Sequence, residues 1–414
     1  MDRVSYNKRN AWTRISCRLE WLDTPWSARY QAHWTQPISQ YFFLLKSHEH
    51  NGVQIMSIFV ILTGTDPSSR KGGIGSAMPG YLRALDSAGI SWYSIPTYHP
   101  SELNGKWKPW LKAFPKLAKE ITAAQRQNKT VLVYSHAGAG VSLLREFFIL
   151  LFARACGAIT LVQLHSSEIN DYLHSPINKF LFRIIISPAH KLAVLTPWWR
   201  QLIRDHGIRK PVAIVPNPLP AEWEMQARRP LSHKGNIDSV LLLSLTRLVP
   251  GKGVDAVIEA MPFLPDRFQL VIAGDGPQRP TLQQRTEELN LTDRVHFAGW
   301  VSGDKKQQLF DDADIFVHPS RYDALSMGFL EAMANGLPVV ATQWGPTPDA
   351  VPDGRCGVLA KEGDPQALAK AILSLQETQF RQHMGNEAKH WVLERFSAKV
   401  VGMKLAAVLQ DVKT

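Results

Sequence analysis

Residues 314–342 read DIFVHPSRYDALSMGFLEAMANGLPVVAT, and this stretch sets the fold class. DIFVHPS is a short apolar strand stopped by Pro319. GFLEAMANG has helical character and closes at Gly336, with Pro338 just beyond and the strand PVVAT following. Strand, loop, helix and strand in this order make one unit of a parallel sheet. The unit carries two acids, Asp323 in the loop and Glu331 on the helix. Loops at the carboxyl ends of parallel strands form the ligand crevice of an open α/β sheet, so both acids fall where ligands bind. Taken alone, the pair reads equally well as a helix-capping acid and an acid paired with a nearby arginine.

The same alternation runs along the chain. SIFVILT, ISWYSIP, VLVYSH, ITLVQLH, KLAVLT and VAIVPN form one series of apolar runs separated by helical segments, and SVLLLSL, QLVIAG, RVHFAG, DIFVHP and PVVAT form a second. A chain of 414 residues exceeds one ordinary core. The reading is α/β, with two Rossmann-like domains facing across a cleft. Residues 224–238, EMQARRPLSHKGNID, are polar and carry Pro230 and Gly235, which marks a linker. The expected divisions are a poorly ordered N-terminal extension at 1–55, a first domain at 56–235, a second at 236–385, and a C-terminal helix at 386–414 that packs back on the first domain.

Composition narrows the class. Apolar residues at 45% and charged residues at 20% describe a globular protein. Three scattered cysteines without CxxC or His-rich neighbours argue against a disulfide framework or a zinc site, and fit a reducing cytosol. Apolar runs such as FFILLFA are cut by Arg145 and Arg154 well short of the ~20 residues a bilayer crossing needs. No apolar core with a small-residue cleavage site marks a signal peptide. A formal charge of +11 points to a polyanionic partner, which composition leaves open between anionic lipid, nucleic acid and phosphorylated substrates.

The crevice acquires cations from LSLTRLVPGKGVDAVIEAM, where Arg247 and Lys252 follow a strand of the same domain. A diphosphate suits that pair, Arg as a planar fork and Lys as a point charge. VIAGDGPQRP makes a tight turn through Gly274 after the next strand. The backbone N–H groups of Ser326 and Met327, at the start of the Glu331 helix, would face the crevice and suit a phosphate. Glu331 itself is placed to accept hydrogen bonds from the vicinal hydroxyls of a ribose. Asp312 and Asp314 match a DxD metal motif in letters only, since DADIF reads as a helix end entering a strand.

In this order, Arg247, Lys252, the GDGP turn at 274–277, and an acid followed after seven residues by Glu331 in EAMANGLPVVAT resemble the retaining glycosyltransferases of family 4, which have the GT-B fold. The resemblance covers about residues 57–410. It implies that Arg247 and Lys252 bind the diphosphate of a nucleotide-sugar donor, that Glu331 holds the ribose, and that Asp323 approaches the transferred sugar. It makes the first domain the acceptor side and the second the donor side. The family most often has Glu and Gly where this chain has Asp323 and Ala324. The shorter acid alters reach to the sugar, and Ala restricts a backbone that Gly leaves free.

In the first domain, TDPSSRKGGIGSAMPG places Gly72, Gly73 and Gly75 in a loop ahead of a helix. It lacks the GxGxxG spacing of a dinucleotide site. The resemblance puts Gly73 beside the donor phosphate. His136 and His165 each end an apolar strand, which is commonly a packing position. The resemblance makes His165 the histidine beside the donor sugar, leaves His136 structural or on the acceptor side, and places Asn217 at the hinge. His165 and Asp323 are thus the candidate catalytic residues.

Residues 105–121, GKWKPWLKAFPKLAKEI, interleave five lysines with Trp107, Trp110 and Phe114, the composition of an interfacial membrane segment and equally of a solvated surface helix whose length Pro109 and Pro115 limit. No nucleic-acid-binding module is visible. The expectation is a hexosyltransferase that needs no metal or other cofactor and acts on a lipid-linked saccharide in cell-surface polysaccharide or lipopolysaccharide synthesis, peripheral on the cytoplasmic face of the plasma membrane. A GT-B nucleotide-sugar epimerase and a non-catalytic GT-B membrane partner are the rival readings.

Overall fold

The computed structural model describes residues 58–69, 72–100, 102, 104–231 and 239–411. The expected extension at 1–55 and the expected boundary at 235 lie outside them. The first domain runs β1 (Ile58–Thr65), α1 (Gly72–Ser87), β2 (Ser91–Tyr98), α2 (Lys108–Arg126), β3 (Thr130–Ala137), α3 (Val141–Ala155), β4 (Ile159–Leu164), α4 (Ile169–His174), α5 (Pro176–Ile185), β5 (Lys191–Val194), α6 (Pro197–Asp205), β6 (Val212–Ile214) and α7 (Ala221–Arg228). Its six strands are all parallel, in the order β2-β1-β3-β4-β5-β6. Parallel crossovers are right-handed, so α1 lies on one face of the sheet while α2, α3, α5 and α6 cover the other.

The second domain runs β7 (Val240–Leu245), α8 (Val254–Ala260), β8 (Phe268–Ala273), α9 (Arg279–Glu288), β9 (Val295–Gly299), α10 (Gly303–Asp312), β10 (Ile315–His318), α11 (Met327–Ala334), β11 (Val339–Thr342), α12 (Thr347–Ala350), β12 (Gly357–Ala360) and α13 (Pro365–Leu373). Again all strands are parallel, in the order β12-β11-β10-β7-β8-β9. The unit that opened the sequence reading is β10, α11 and β11, and every residue of both strands is buried. Strand order reverses between β1 and β3 in one sheet and between β7 and β10 in the other. Those reversals are where open sheets leave a crevice.

Four details depart from the sequence reading. The strand β12 is additional, because GVLA is too short and Gly-led to register as an apolar run. The start of the expected linker, residues 224–228, is helical as the end of α7, with Glu224 and Ala227 buried. Gly72, Gly73 and Gly75 form the first turn of α1 rather than a loop ahead of it. Pro115 lies inside α2 and does not stop it, since Ala113, Leu117, Ile121 and Ala124 anchor the helix on both sides of the proline.

The C-terminal segment is two helices rather than one, α14 (Thr378–Phe396) and α15 (Ala398–Gln410), broken where Ser397 takes an extended backbone. The break turns the chain back across the first domain. There Leu219 N donates to Phe396 O at 2.7 Å, and Ser87 Oγ donates to Ala398 O at 3.1 Å. Gly402 lets α15 lie on α1, because a Cβ there would stand 2.3 Å from the Ala84 carbonyl oxygen. Trp198 at the start of α6 meets Trp344 of the second domain with ring centres 6.2 Å apart.

Candidate functional site

The carboxyl ends of the two sheets face each other across a cleft of about 990 Å³. Gly73, His165, Arg247, Lys252, Gly274, Asp323, Ser326, Met327 and Glu331 all line it. Sequence spacing places these residues at strand ends and helix starts, and the reversals of strand order bring those ends together.

The wall from the second domain is built on three loops that follow the adjacent strands β7, β8 and β10. After β7, Arg247 is exposed to the cleft while Lys252 is buried. Gly274 after β8 has φ +144°, and a Cβ there would lie 1.8 Å from Thr246 O, so no other residue fits. Its N–H donates to Gly299 O at 2.7 Å, which ties the loops after β8 and β9 together. After β10, Ser326 precedes α11 in an extended conformation, and Ser326, Met327 and Gly328 open the first turn of that helix onto the cleft.

The two acids hold different partners. Lys252 Nζ donates to Asp323 Oδ1 at 2.6 Å, and His318 Nε2 lies 2.8 Å from Asp323 Oδ2. Burial pushes the Asp323 carboxyl up; the His318 hydrogen bond and the charges of Lys252 and His318 overcome it and hold the group well below the usual carboxylate range. Lys252 and Asp323, which the sequence reading assigns to separate ends of a donor, are therefore bonded to each other. Glu331 is buried and pairs with Lys306 of α10 at 2.7 Å rather than with an arginine. Burial raises its carboxyl, Lys306 opposes the shift, and Glu222 adds to it. The Lys306 ammonium in turn sits 5.3 Å over the Trp223 ring. Asp314 points away from the cleft chemistry: it accepts from Leu241 N at 2.9 Å and from Arg381 at 3.5 Å.

The wall from the first domain is α1 and the end of β4. Gly72 and Gly73 start α1 with open space around them, so the backbone there is accessible from the cleft. His165 is stacked on His136 at the end of β3, with His165 Nε2 and His136 Nδ1 2.9 Å apart. Tyr81 packs its edge against both rings, and its hydroxyl donates to Asn217 Oδ1 at 3.3 Å. Burial pushes the His165 imidazole down to about 3 and His136 well below the ordinary histidine value, so both rings are neutral near pH 7. His136 is thus the buried support of His165 and does not itself line the cleft.

The two walls are tied at the acid loop itself. Ser167 Oγ donates to Tyr322 O at 2.8 Å, and Trp199 Nε1 donates to Ala324 O at 2.9 Å. Ala324 is not among the residues with left-handed backbone, so replacing the family's usual Gly there strains nothing. The sequence reading missed Lys306, His318, Ser167 and Trp199. Only His318 had a signal, since it ends an apolar strand as His136 and His165 do.

Residues 229–391 match the family described as glycosyl transferases group 1. The second domain is a group 1 glycosyltransferase domain. A GDP-mannose-dependent alpha-(1-6)-phosphatidylinositol monomannoside mannosyltransferase of Mycolicibacterium smegmatis is 33% identical over 183 residues, 42% of this chain and 48% of that protein. The match thus spans about half of that relative. An alpha-D-kanosaminyltransferase of Streptomyces kanamyceticus is 26% identical over 339 residues, 76% of this chain and 86% of that protein. Among solved structures, HepE of Anabaena in complex with UDP superposes with a TM-score of 0.64 at 18% identity, covering 85% of this chain and 99% of that one. The group 1 domain and its partner domain together have the GT-B fold. Arg247, Lys252, Glu331 and the start of α11 all belong to the group 1 domain.

Proposed function

We propose that the protein moves a sugar from a nucleotide-diphosphate sugar to an acceptor hydroxyl with retention of the anomeric configuration, and that the acceptor is a lipid-linked saccharide. One observation carries the reading: Arg247, Lys252 and the first turn of α11 share a cleft wall with the buried Glu331, opposite the start of α1 and His165. Cations and helix N-termini on two sides of one space suit a diphosphate, and a buried carboxylate beside it suits a ribose.

As the bond between sugar and diphosphate breaks, negative charge grows on the leaving phosphate, where Arg247, Lys252 and the helix starts stabilise it. Lys252 then divides its hydrogen bonds between the phosphate and Asp323. Asp323 is freed toward the sugar hydroxyls while His318 keeps it oriented. His165, neutral and braced by His136, orients the sugar by hydrogen bonding and exchanges no proton. The acceptor oxygen approaches the face the diphosphate leaves, and a phosphate oxygen takes the acceptor proton as the new bond forms. Neither a metal ion nor another cofactor enters this reading. The α linkage in the names of the two relatives is what an α-configured donor yields under retention, and the phosphatidylinositol-linked substrate of one supports a lipid-linked acceptor. The same reading puts its action at the cytoplasmic face of the plasma membrane, in cell-surface polysaccharide synthesis.

The test is a panel of uridine, guanosine and adenosine diphosphate sugars. A true donor at a hundred times its Kd adds about 2.7 kcal/mol to stability. It should then be consumed with a lipid-linked acceptor, and the product's anomeric configuration read by NMR. An inverted linkage ends the retaining assignment. Isomerised sugar nucleotide formed without acceptor identifies an epimerase instead, and full turnover by Lys252→Ala and Glu331→Ala removes the site assignment.

A further inference from the structure

Helix α3 buries two of its three charged residues, Arg145 and Glu146, beside Leu143, Ile149, Leu150 and Ala153, while Val141, Leu144, Phe148 and Leu151 are exposed. The inward charges have a structural reason: Glu146 accepts hydrogen bonds from Thr63, Thr97 and Ser135 on β1, β2 and β3. Among the described residues Phe148 meets the rings of Trp110 and Phe147, yet all four outward residues stay exposed. They are spaced by three, four and three residues, which aligns them along one side of the helix.

The neighbouring helices extend the same surface. On α5 only Phe182 is buried, and Ile177, Phe180, Leu181 and Ile184 are exposed. Trp107, just ahead of α2, and Leu111 on it are exposed beside Trp110, whose ring packs on Phe148. With Trp107 these three helices supply ten of the sixteen exposed large apolar side chains among the described residues. They lie on one face of the first sheet, with α3 touching both others. A contiguous exposed patch of this kind is uncommon on a free surface and marks an interaction site.

The charge around the patch identifies its occupant. Residues 104–129 contain seven Lys or Arg and a single acid, Glu120, and Lys108, Lys112, Lys116 and Lys119 of α2 are exposed. The segment 175–190 has Lys179 and Arg183 and no acid. Among the described residues no helix is long and apolar enough to cross a membrane. We infer that the outer face of α2, α3 and α5 docks on an anionic lipid bilayer, with the apolar rows entering the acyl boundary and the α2 lysines meeting acidic headgroups. The face begins at the cleft. Gly138, three residues ahead of α3, lines it, and Gly140 N donates to Tyr172 of α4 at 2.8 Å, joining the cleft ends of α3 and α4. A docked molecule therefore holds the acceptor side of its cleft next to the headgroups, a placement whose purpose rests on the transfer reading.

The experiment is flotation of the full chain with vesicles of phosphatidylcholine, with and without phosphatidylglycerol. The protein should float with the anionic vesicles and be released by salt. Phe148→Ser with Phe180→Ser, and separately Lys112→Glu with Lys116→Glu, should each lower partitioning by at least about tenfold. Thermal melts check that both variants are folded. Quenching by brominated lipid in otherwise unaltered protein, and its reduction in Trp107→Phe, gives a second reading that needs neither variant. Absence of flotation with either vesicle overturns the inference, as does unchanged partitioning of folded variants. Self-association that the same substitutions abolish, without vesicle binding, assigns the face to a second copy of the chain and overturns it too. Binding is read without turnover, so failure here leaves the transfer reading standing, and an inactive enzyme leaves the surface standing.

Discussion

Asp323 has both carboxylate oxygens occupied before any ligand arrives, one by Lys252 and one by His318. A group whose folded pKa is depressed adds stability that is present above its unfolded value, roughly pH 4, and is lost as pH falls through that value toward the folded one. Denaturant unfolding measured below about pH 5 should therefore show a shallower acid loss in Asp323→Asn than in the unaltered protein. Equal slopes would mean the ion pair contributes nothing to the fold. Glu331 shifts the other way. Raised by burial despite Lys306, it takes up a proton at higher pH than an ordinary glutamate, and the protonated form is a poorer acceptor for ribose hydroxyls. Donor KM should rise on the acid side earlier than a free carboxylate would dictate, and Glu331→Gln should raise it about tenfold at pH 7 and flatten that rise. A pH profile of KM that is the same in both proteins would remove Glu331 from the donor site.

At the scale of elements, the loop between β10 and α11 is held from the other domain. Trp199 on α6 and Ser167 after β4 donate to the carbonyls of Ala324 and Tyr322, on either side of Asp323. Trp199→Phe keeps most of the ring and deletes the donor, leaving a buried carbonyl unmatched. It should cost about 1 to 2 kcal/mol in urea unfolding and lower kcat more than it raises donor KM, since the group 1 wall itself is untouched. If kcat stays the same, the tie is structural only. What is legible in the sequence divides along the same line. Arg247, Lys252, Gly274 and Glu331 stand at strand ends and helix starts, positions that local pattern fixes. Lys306 is invisible because nothing in GDKKQQLFDD says which lysine faces Glu331; that depends on how α10 is rotated over the sheet. The exposed row on α3 is hidden for a related reason. FFILLFA is an unbroken apolar run with no polar face to orient it, and only the three hydroxyls that capture Glu146 reveal which side faces in.

The whole molecule is two parallel sheets joined at the loop of Asn217 and again by the return of α14 and α15 across the first domain. The C-terminal return means that the chain passes between the domains twice, once after β6 and again at Ser397. The surface inferred to meet lipid belongs wholly to the first domain, so docking leaves the donor wall of the second domain uncovered. The meeting of Trp198 and Trp344 crosses that boundary. Two indoles 6.2 Å apart and tilted by 39° couple their excited states, and that coupling depends steeply on distance. The pair is a built-in optical gauge: near-ultraviolet circular dichroism, compared between the unaltered protein and Trp344→Phe, would follow opening and closing of the cleft in solution without a label attached to either domain.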